Sequence, residues 1–408
     1  MLMNKNKLAL AVAVAMSVAV PSAFATNGII QAGNGMVAHG FGGAGLSNAG
    51  EAAAGMDNPA LITQTGDALS VGWSMFMPDR TVDSTAAVGA AGTVAKSDSK
   101  QFAIPQVAFT STLNDKMSWG LMAYALGGMN TDYRTGLAPG LGQTTPQSVN
   151  LQGLIVAPTM SYALSKDVSL GGSLIIGYET LTTRNLFGQG APGTNEGSTT
   201  GFGVKLGVNA KVTDGISVGA MLQPKLSLGE ISYFKNFLGG FGFSGDAALT
   251  LPNEAGIGAK FAVGKDVDIL TDVLYYQWTS VDVFKFFGWQ DQTILKLGTE
   301  WRPTDKLALR AGFNYGKSPI SGGDRTENGS MDAAFANYPF PAISETHYTL
   351  GLGYKVDKNL TFDAYYLYSP EVSQTATGVS QTSGGPFPAG TKISMTQNAF
   401  GIGINYRR

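Results

Sequence analysis

Charged side chains at alternate positions of strand-like runs are the residues in this chain whose types could do chemistry. Lys205, Lys225, Lys260, Lys296 and Arg310 carry one sign, and Glu179, Glu254, Asp268, Asp272, Glu300 and Asp363 the other. Alternation assigns all of them to the same, inward face. A lysine or arginine in an apolar pocket can hold a carboxylate head group. Lys225 is the first such candidate, because it follows Gln223-Pro224 beside a Phe-rich stretch. Lys260, Lys296 and Arg310 are the others. Charges of both signs also pair with one another, which is the commoner use of such residues. The Phe-rich stretch crowds Phe234, Phe237, Leu238, Phe241 and Phe243 into one loop. Such a cluster marks a surface for capturing a greasy molecule, or packs over whatever lies beneath it.

Other chemistries are poorly served. There is no Cys, which excludes a cysteine nucleophile, and the only two His, His39 and His347, argue against a His-based metal site. His39 reads as a hydrogen-bonding residue. His347 lies near Glu345, a pairing suited to acid–base work, yet no nucleophile and no G-x-S-x-G motif accompany it. Gly40-Phe41-Gly42-Gly43-Ala44-Gly45 fits G-x-G-x-x-G, but no strand precedes it as a dinucleotide site requires. The expectation is a protein that is not an enzyme and needs no cofactor or metal.

Composition points to the elements that position these residues. Of 408 residues 55 are Gly and only 14% are charged, whereas about a quarter of a soluble chain is charged. With 27 basic against 29 acidic residues there is no cationic surplus for nucleic acid. Lys5 and Lys7 precede an apolar stretch over 8–20, and Ala23-Phe24-Ala25 follows. That is the pattern of a secretory signal, so residues 1–25 are expected to be removed. No later stretch is apolar for the 18 or so residues of a spanning helix.

From Leu69 onward the chain alternates with a period of two. In the run from Leu360 to Tyr368, Leu360, Phe362, Ala364, Tyr366 and Tyr368 share one face, and Thr361, Asp363, Tyr365 and Leu367 the other. Six polar triplets interrupt the alternation: Asn114-Asp115-Lys116, Ser165-Lys166-Asp167, Thr213-Asp214-Gly215, Gly264-Lys265-Asp266, Thr304-Asp305-Lys306 and Asp357-Lys358-Asn359. Their starts lie 51, 48, 51, 40 and 53 residues apart, with two strands and one long loop between neighbours. Short turns at one end and long loops at the other are the signature of an outer-membrane barrel. The count gives an all-β, 14-stranded antiparallel transmembrane barrel over residues 67–408. Trp119, Tyr162, Phe261, Trp301, Tyr354 and Tyr406 fall at the turn end, where an aromatic girdle belongs.

Residues 26–66 hold ten Gly and no sustained alternation. They are expected to plug the lumen, with a short helix over 47–56 capped by Ser47. A general polar-solute porin, or a purely structural barrel, is the competing class; a porin would have no use for this segment.

Three stretches together resemble the FadL/TodX family of outer-membrane transporters for hydrophobic compounds. They are Asn58-Pro59-Ala60, Leu113-Asn-Asp-Lys-Met-Ser-Trp-Gly120 leading to Gly127, and Leu297-Gly-Thr-Glu-Trp-Arg-Pro-Thr-Asp-Lys-Leu-Ala-Leu-Arg-Ala-Gly-Phe-Asn-Tyr-Gly-Lys-Ser-Pro319. The resemblance implies an N-terminal hatch inside the barrel and passive uptake of fatty acids, alkanes or aromatics. Substrate would be captured at the outer surface, pass to an internal pocket and leave sideways through a break in strand 3. It also implies that the turn Asn58-Pro59-Ala60 lies against a kink around Tyr124, Gly127 and Gly128. Two consecutive Gly in a strand suit such a kink. The chain departs from the family in ending Tyr406-Arg407-Arg408, and in outer loops over 184–199 and 232–246 that are shorter than those of fatty-acid members. A protein of this kind is expected to be a monomer in the outer membrane of a Gram-negative bacterium. It would be inserted by the barrel assembly machinery among lipid and lipopolysaccharide.

Overall fold

Each alternating run forms a strand, and the polar triplets turn the chain between strands. The computed structural model describes residues 26–89, 92–135, 145–186, 194–321, 332–377 and 389–408. The expected signal segment, residues 1–25, lies outside them. Among the described residues the long strands, in chain order, are β1 (Ala68–Asp83), β2 (Phe102–Asn114), β3 (Met117–Tyr133), β4 (Gln147–Ala163), β5 (Val168–Arg184), β6 (Thr194–Thr213) and β7 (Ile216–Gln223). They continue with β8 (Asn253–Val263), β9 (Val267–Gln277), β10 (Gln292–Trp301), β11 (Leu307–Gly316), β12 (Thr346–Lys355), β13 (Leu360–Thr375) and β14 (Lys392–Arg407). Each pairs antiparallel with its sequence neighbours, and β14 returns to β1 in register from Arg407↔Ala68 to Lys392↔Asp83. The fourteen strands therefore close into a barrel, with no strand left at an open end of the sheet.

Side-chain alternation separates two environments. Leu170, Leu174, Phe202, Leu206, Ile257, Leu350 and Ile402 are exposed on the outer wall, where lipid is their solvent. The alternate positions Ser70, Gln106, Thr110, Ser161, Asn209, Asp272 and Asn314 are buried in the lumen. At the turn end Tyr162, Phe261, Trp301, Tyr354 and Tyr406 are exposed on the outside as a girdle requires.

Residues 26–66 lie inside the barrel, packed against the inward faces of the strands. A helix over Met36–Gly40 packs against β11, β12, β13 and β14. His39 Nδ1 donates to the Gly35 carbonyl, 2.7 Å away, and the ring stacks on Tyr365 at 4.4 Å. The expected helix over 47–56 is not formed; only Ala54–Asp57 is helical. The Ser47 hydroxyl donates instead to Asn209 Oδ1 at 3.3 Å, and Asp272 accepts from the backbone N–H groups of Gly45 and Leu46 at 2.7 and 3.1 Å. Hydrogen bonds to the barrel wall, rather than local helix propensity, shape this segment.

Candidate functional site

The wall is incomplete between two neighbouring strands. β2 and β3 pair from Asn114↔Met117 to Val107↔Ala123 and no further, although β3 runs on to Tyr133 and β2 begins at Phe102. Higher up, Asp98 N–H donates to the Asp132 carbonyl at 2.8 Å. A window spanning residues 124–131 of β3 is thus left without ladder bonds to β2. On its other side β3 pairs with β4, with a bulge between Ala125 and Gly127. Gly127 has φ +157, and a Cβ there would stand 2.9 Å from the carbonyl oxygen of Ile29. The bulge turns Leu126 into the barrel, where it is buried beside Gly153 and Gly177.

A hatch hairpin of Thr26–Asn27 and Ile30–Gln31 lies against this window. Gly28 at its tip is pressed on Trp278, whose Cζ2 stands 2.3 Å from where a Cβ would be. The turn Asn58-Pro59-Ala60 is elsewhere, contrary to expectation. It docks on β4, β5 and β6. Asn58 Nδ2 donates to the carbonyls of Leu46 and Val208 at 2.7 and 3.0 Å, while its Oδ1 accepts from Ala60 N–H at 3.1 Å. Ser161 and Ser169 donate to the Ala60 carbonyl at 3.1 and 2.9 Å. The reason is steric: β5 and β6 offer Gly171 and Gly207, and a Cβ at either would stand within 2.3 Å of this turn. The kink holds no such pair for it, and the hairpin takes that place.

Behind the window lies a cavity lined by Ile30, Tyr124, Leu126, Ile155, Leu251 and Leu274 together with Asp57, Lys205, Glu254, Asp272 and Lys296. It measures about 40 Å³, room for about three waters and well below the roughly 150 Å³ that accepts benzene in an engineered protein cavity. Its two cations are held by the hatch: Lys205 Nζ donates to the Met56 carbonyl at 2.9 Å and Lys296 Nζ to that of Gly43 at 3.3 Å.

Of the four head-group candidates, Lys296 alone lines this cavity. Lys225 lies past the end of β7, half-buried, and its backbone N–H donates to Asn253 Oδ1. Lys260 pairs with Asp268 at 2.9 Å, and Arg310 with Glu300 and Asp363 at 2.7 Å each. Arg302 bridges Asp268 and Glu300. These groups form a charge-balanced ladder across β8–β13 at the turn end, where they position the hatch rather than stand free.

The aromatic residues form a lid rather than an open patch. A helix over Ser232–Gly239 buries Phe234 and Leu238, and leaves Phe237, Phe241 and Phe243 partly buried. Phe243 meets Phe286 at 5.1 Å, and Trp278, Phe284 and Trp289 pack edge-to-face and stacked behind it. The sequence reading did not single out Trp278, Phe284, Phe286 and Trp289, though the density of aromatics over 278–289 is a signal the sequence carries.

The sequence family described as outer membrane protein transport protein (OMPP1/FadL/TodX) matches residues 12–408. The chain belongs to this family. Members of the FadL/TodX family are outer-membrane transport channels and not enzymes, which fixes the compartment as a Gram-negative outer membrane. Solved structures agree in fold. The toluene transporter TodX of P. putida superposes with TM-score 0.68 at 18% identity, covering 92% of this chain and 99% of that one. A Pseudomonas aeruginosa FadL homologue gives 0.68 at 15%, covering 93% and 99%. The Ralstonia pickettii toluene transporter TbuX gives 0.63 at 18%, covering 92% and 98%. No curated protein matches the chain.

Proposed function

We propose that this FadL/TodX-family barrel takes up small, neutral hydrophobic compounds and releases them sideways into the membrane through the window between β2 and β3. The observation that carries the reading is the loss of pairing beyond Val107↔Ala123, closed from inside by a hatch hairpin instead of by strand. Backbone groups in a membrane wall need partners, so a gap left in the ladder is an expensive feature with a use. A hydrocarbon gains about 0.8 kcal/mol per CH₂ by staying out of water, and a lateral route lets it do so.

The sequence of events follows from contacts. The aromatic lid receives the compound; Trp278 touches Gly28; the hairpin carrying Gly28 and Ile29 rests on Gly127. Movement of the lid on binding shifts the hairpin, enlarges the closed cavity and uncovers the window. Because the cavity lysines are already held by hatch carbonyls, a neutral compound suits it better than a carboxylate. The toluene transporters TodX and TbuX, and CymD, a monoaromatic hydrocarbon channel, share this fold, and monoaromatic compounds are accordingly the proposed substrate class. The barrel works as a monomer surrounded by lipid and lipopolysaccharide after insertion by the assembly machinery. Uptake of labelled toluene and oleate at low concentration, by cells with and without the gene, tests the reading. It predicts protein-dependent entry of toluene above oleate; entry of neither would overturn it. The porin alternative predicts large, steady ion currents in planar bilayers, whereas the hatch inside the barrel predicts near silence.

A further inference from the structure

One inward acid stands apart from the rest. Asp268, Asp272, Glu300 and Asp363 all have a cation or backbone N–H groups at their oxygens. Glu179 on β5 is 0% exposed, and among the described residues neither of its carboxyl oxygens has a hydrogen-bond partner.

Its place is set by register. Glu179 stands opposite Gly153 on β4 and Thr199 on β6. The inward neighbours along β5 are Leu181 on the outer side and Gly177 on the inner side. Tyr233, from the helix of the aromatic lid, donates its hydroxyl to the Leu181 carbonyl at 2.9 Å. On the inner side, Leu126, Leu226 and Leu228 crowd the face of Gly177, and Leu126 also covers Gly153. Leu126 lines the closed cavity. Glu179 therefore sits between the lid and the cavity, with leucines on its inner side and the bulged Leu126 of strand β3 between it and the window.

A buried carboxyl without a partner is costly, and one kept in a leucine-lined place is suited to a partner that arrives from outside. A carboxyl both accepts and, when protonated, donates a hydrogen bond. An apolar approach admits a neutral molecule more readily than a charged one. We propose that Glu179 is a specificity residue on the uptake path, binding the hydroxyl of a phenol or similar hydroxylated aromatic compound. This inference rests on the uptake reading above and narrows its substrate class.

The test compares p-cresol with toluene, which differ by one hydroxyl, in the wild type, Glu179→Gln, Glu179→Leu and Glu179→Met. Each variant is first shown to be heat-modifiable, and Glu179→Gln keeps the shape if a larger change prevents folding. Binding to the detergent-solubilised barrel is read by tryptophan fluorescence, and uptake is read in cells. The wild type is expected to bind cresol more tightly than toluene. In Glu179→Leu and Glu179→Met cresol binding and uptake should fall by roughly tenfold, the size of one hydrogen bond to a charged or strongly polar group, with toluene within about twofold of wild type. Glu179→Gln should retain most of the preference. A cresol-to-toluene ratio unchanged in Glu179→Leu or Glu179→Met overturns the proposal. Wild-type barrel that binds cresol selectively yet transports neither compound would overturn the uptake reading while leaving the Glu179 site standing.

Discussion

Gly127 and Ile29 meet backbone to backbone: a Cβ on Gly127 would stand 2.9 Å from the Ile29 carbonyl oxygen, and the φ of +157 at Gly127 is one that L side chains rarely adopt. The kinked strand and the hatch hairpin are therefore fitted to each other at a single point. Gly127→Val removes both the room and the permitted backbone angle. The strand should straighten and offer its bonds to β2. Uptake of toluene is expected to fall by roughly tenfold or more while the barrel still assembles. Uptake at the wild-type rate in a folded variant would show that the kink has no part in transport.

Asn58 serves hatch docking rather than the window. Asn58→Ala leaves the carbonyls of Leu46 and Val208 short of a donor, a loss of about 1–3 kcal/mol when such groups are buried. Hydrogen exchange of residues 44–62 should accelerate, with the hairpin at Gly127 little affected. Unchanged exchange over that stretch would contradict the assignment.

Hatch docking should also depend on pH. Burial pushes the Glu51 carboxyl up to about 8, and Asp363 adds to the rise. The docked hatch thus prefers the protonated form, which still accepts from Val37 N–H at 2.8 Å. Since the docked value lies above the ordinary 4.5, this contribution is fully present below the ordinary value and is lost as pH rises through about 8. Protease sensitivity of the hatch should increase from pH 6 to pH 9 in the wild type, and the increase should vanish in Glu51→Gln. A hatch equally resistant at both pH values would refute the role.

Much of the fold was legible in the chain. Period-two alternation and the six triplets fix strand number, turn positions and which face meets lipid, because a barrel wall has one solvent on each side and each strand records both. The site was legible only in part. Gly127-Gly128 announces the kink, but nothing local tells which hatch residue covers it, since Ile29 and Gly127 are far apart in sequence and meet only after closure. Asn58-Pro59-Ala60 was assigned to the kink, whereas complementary glycines on β5 and β6 hold it. Lys260 and Arg310, head-group candidates in sequence, are paired in space: Lys260 with Asp268 and Arg310 with Glu300 on the adjacent strand, and Arg310 also with Asp363 two strands away, partners that only the closed sheet brings together.

The lid makes a separate prediction. Phe237→Ala with Phe241→Ala removes the partly buried aromatics that pack against each other at 5.2 Å. It should raise the toluene concentration for half-maximal uptake by several-fold, about the effect of one aromatic contact pair plus its lost area, without changing the maximal rate. A fall in maximal rate at unchanged half-saturation would place these residues in the gate instead.

The lateral window is tested most directly by locking it. Continuing the β2–β3 register beyond Val107↔Ala123 places Pro105 opposite Ala125, and the chain has no Cys of its own to interfere. Cysteines introduced as Pro105→Cys and Ala125→Cys should form a disulfide on oxidation that ties the two strands across the gap. Toluene uptake by cells carrying this barrel is predicted to be lost when the disulfide is formed, verified by gel mobility, and restored when it is reduced. Equal uptake in the oxidised and reduced states, with the disulfide fully formed, would contradict release through the window between β2 and β3.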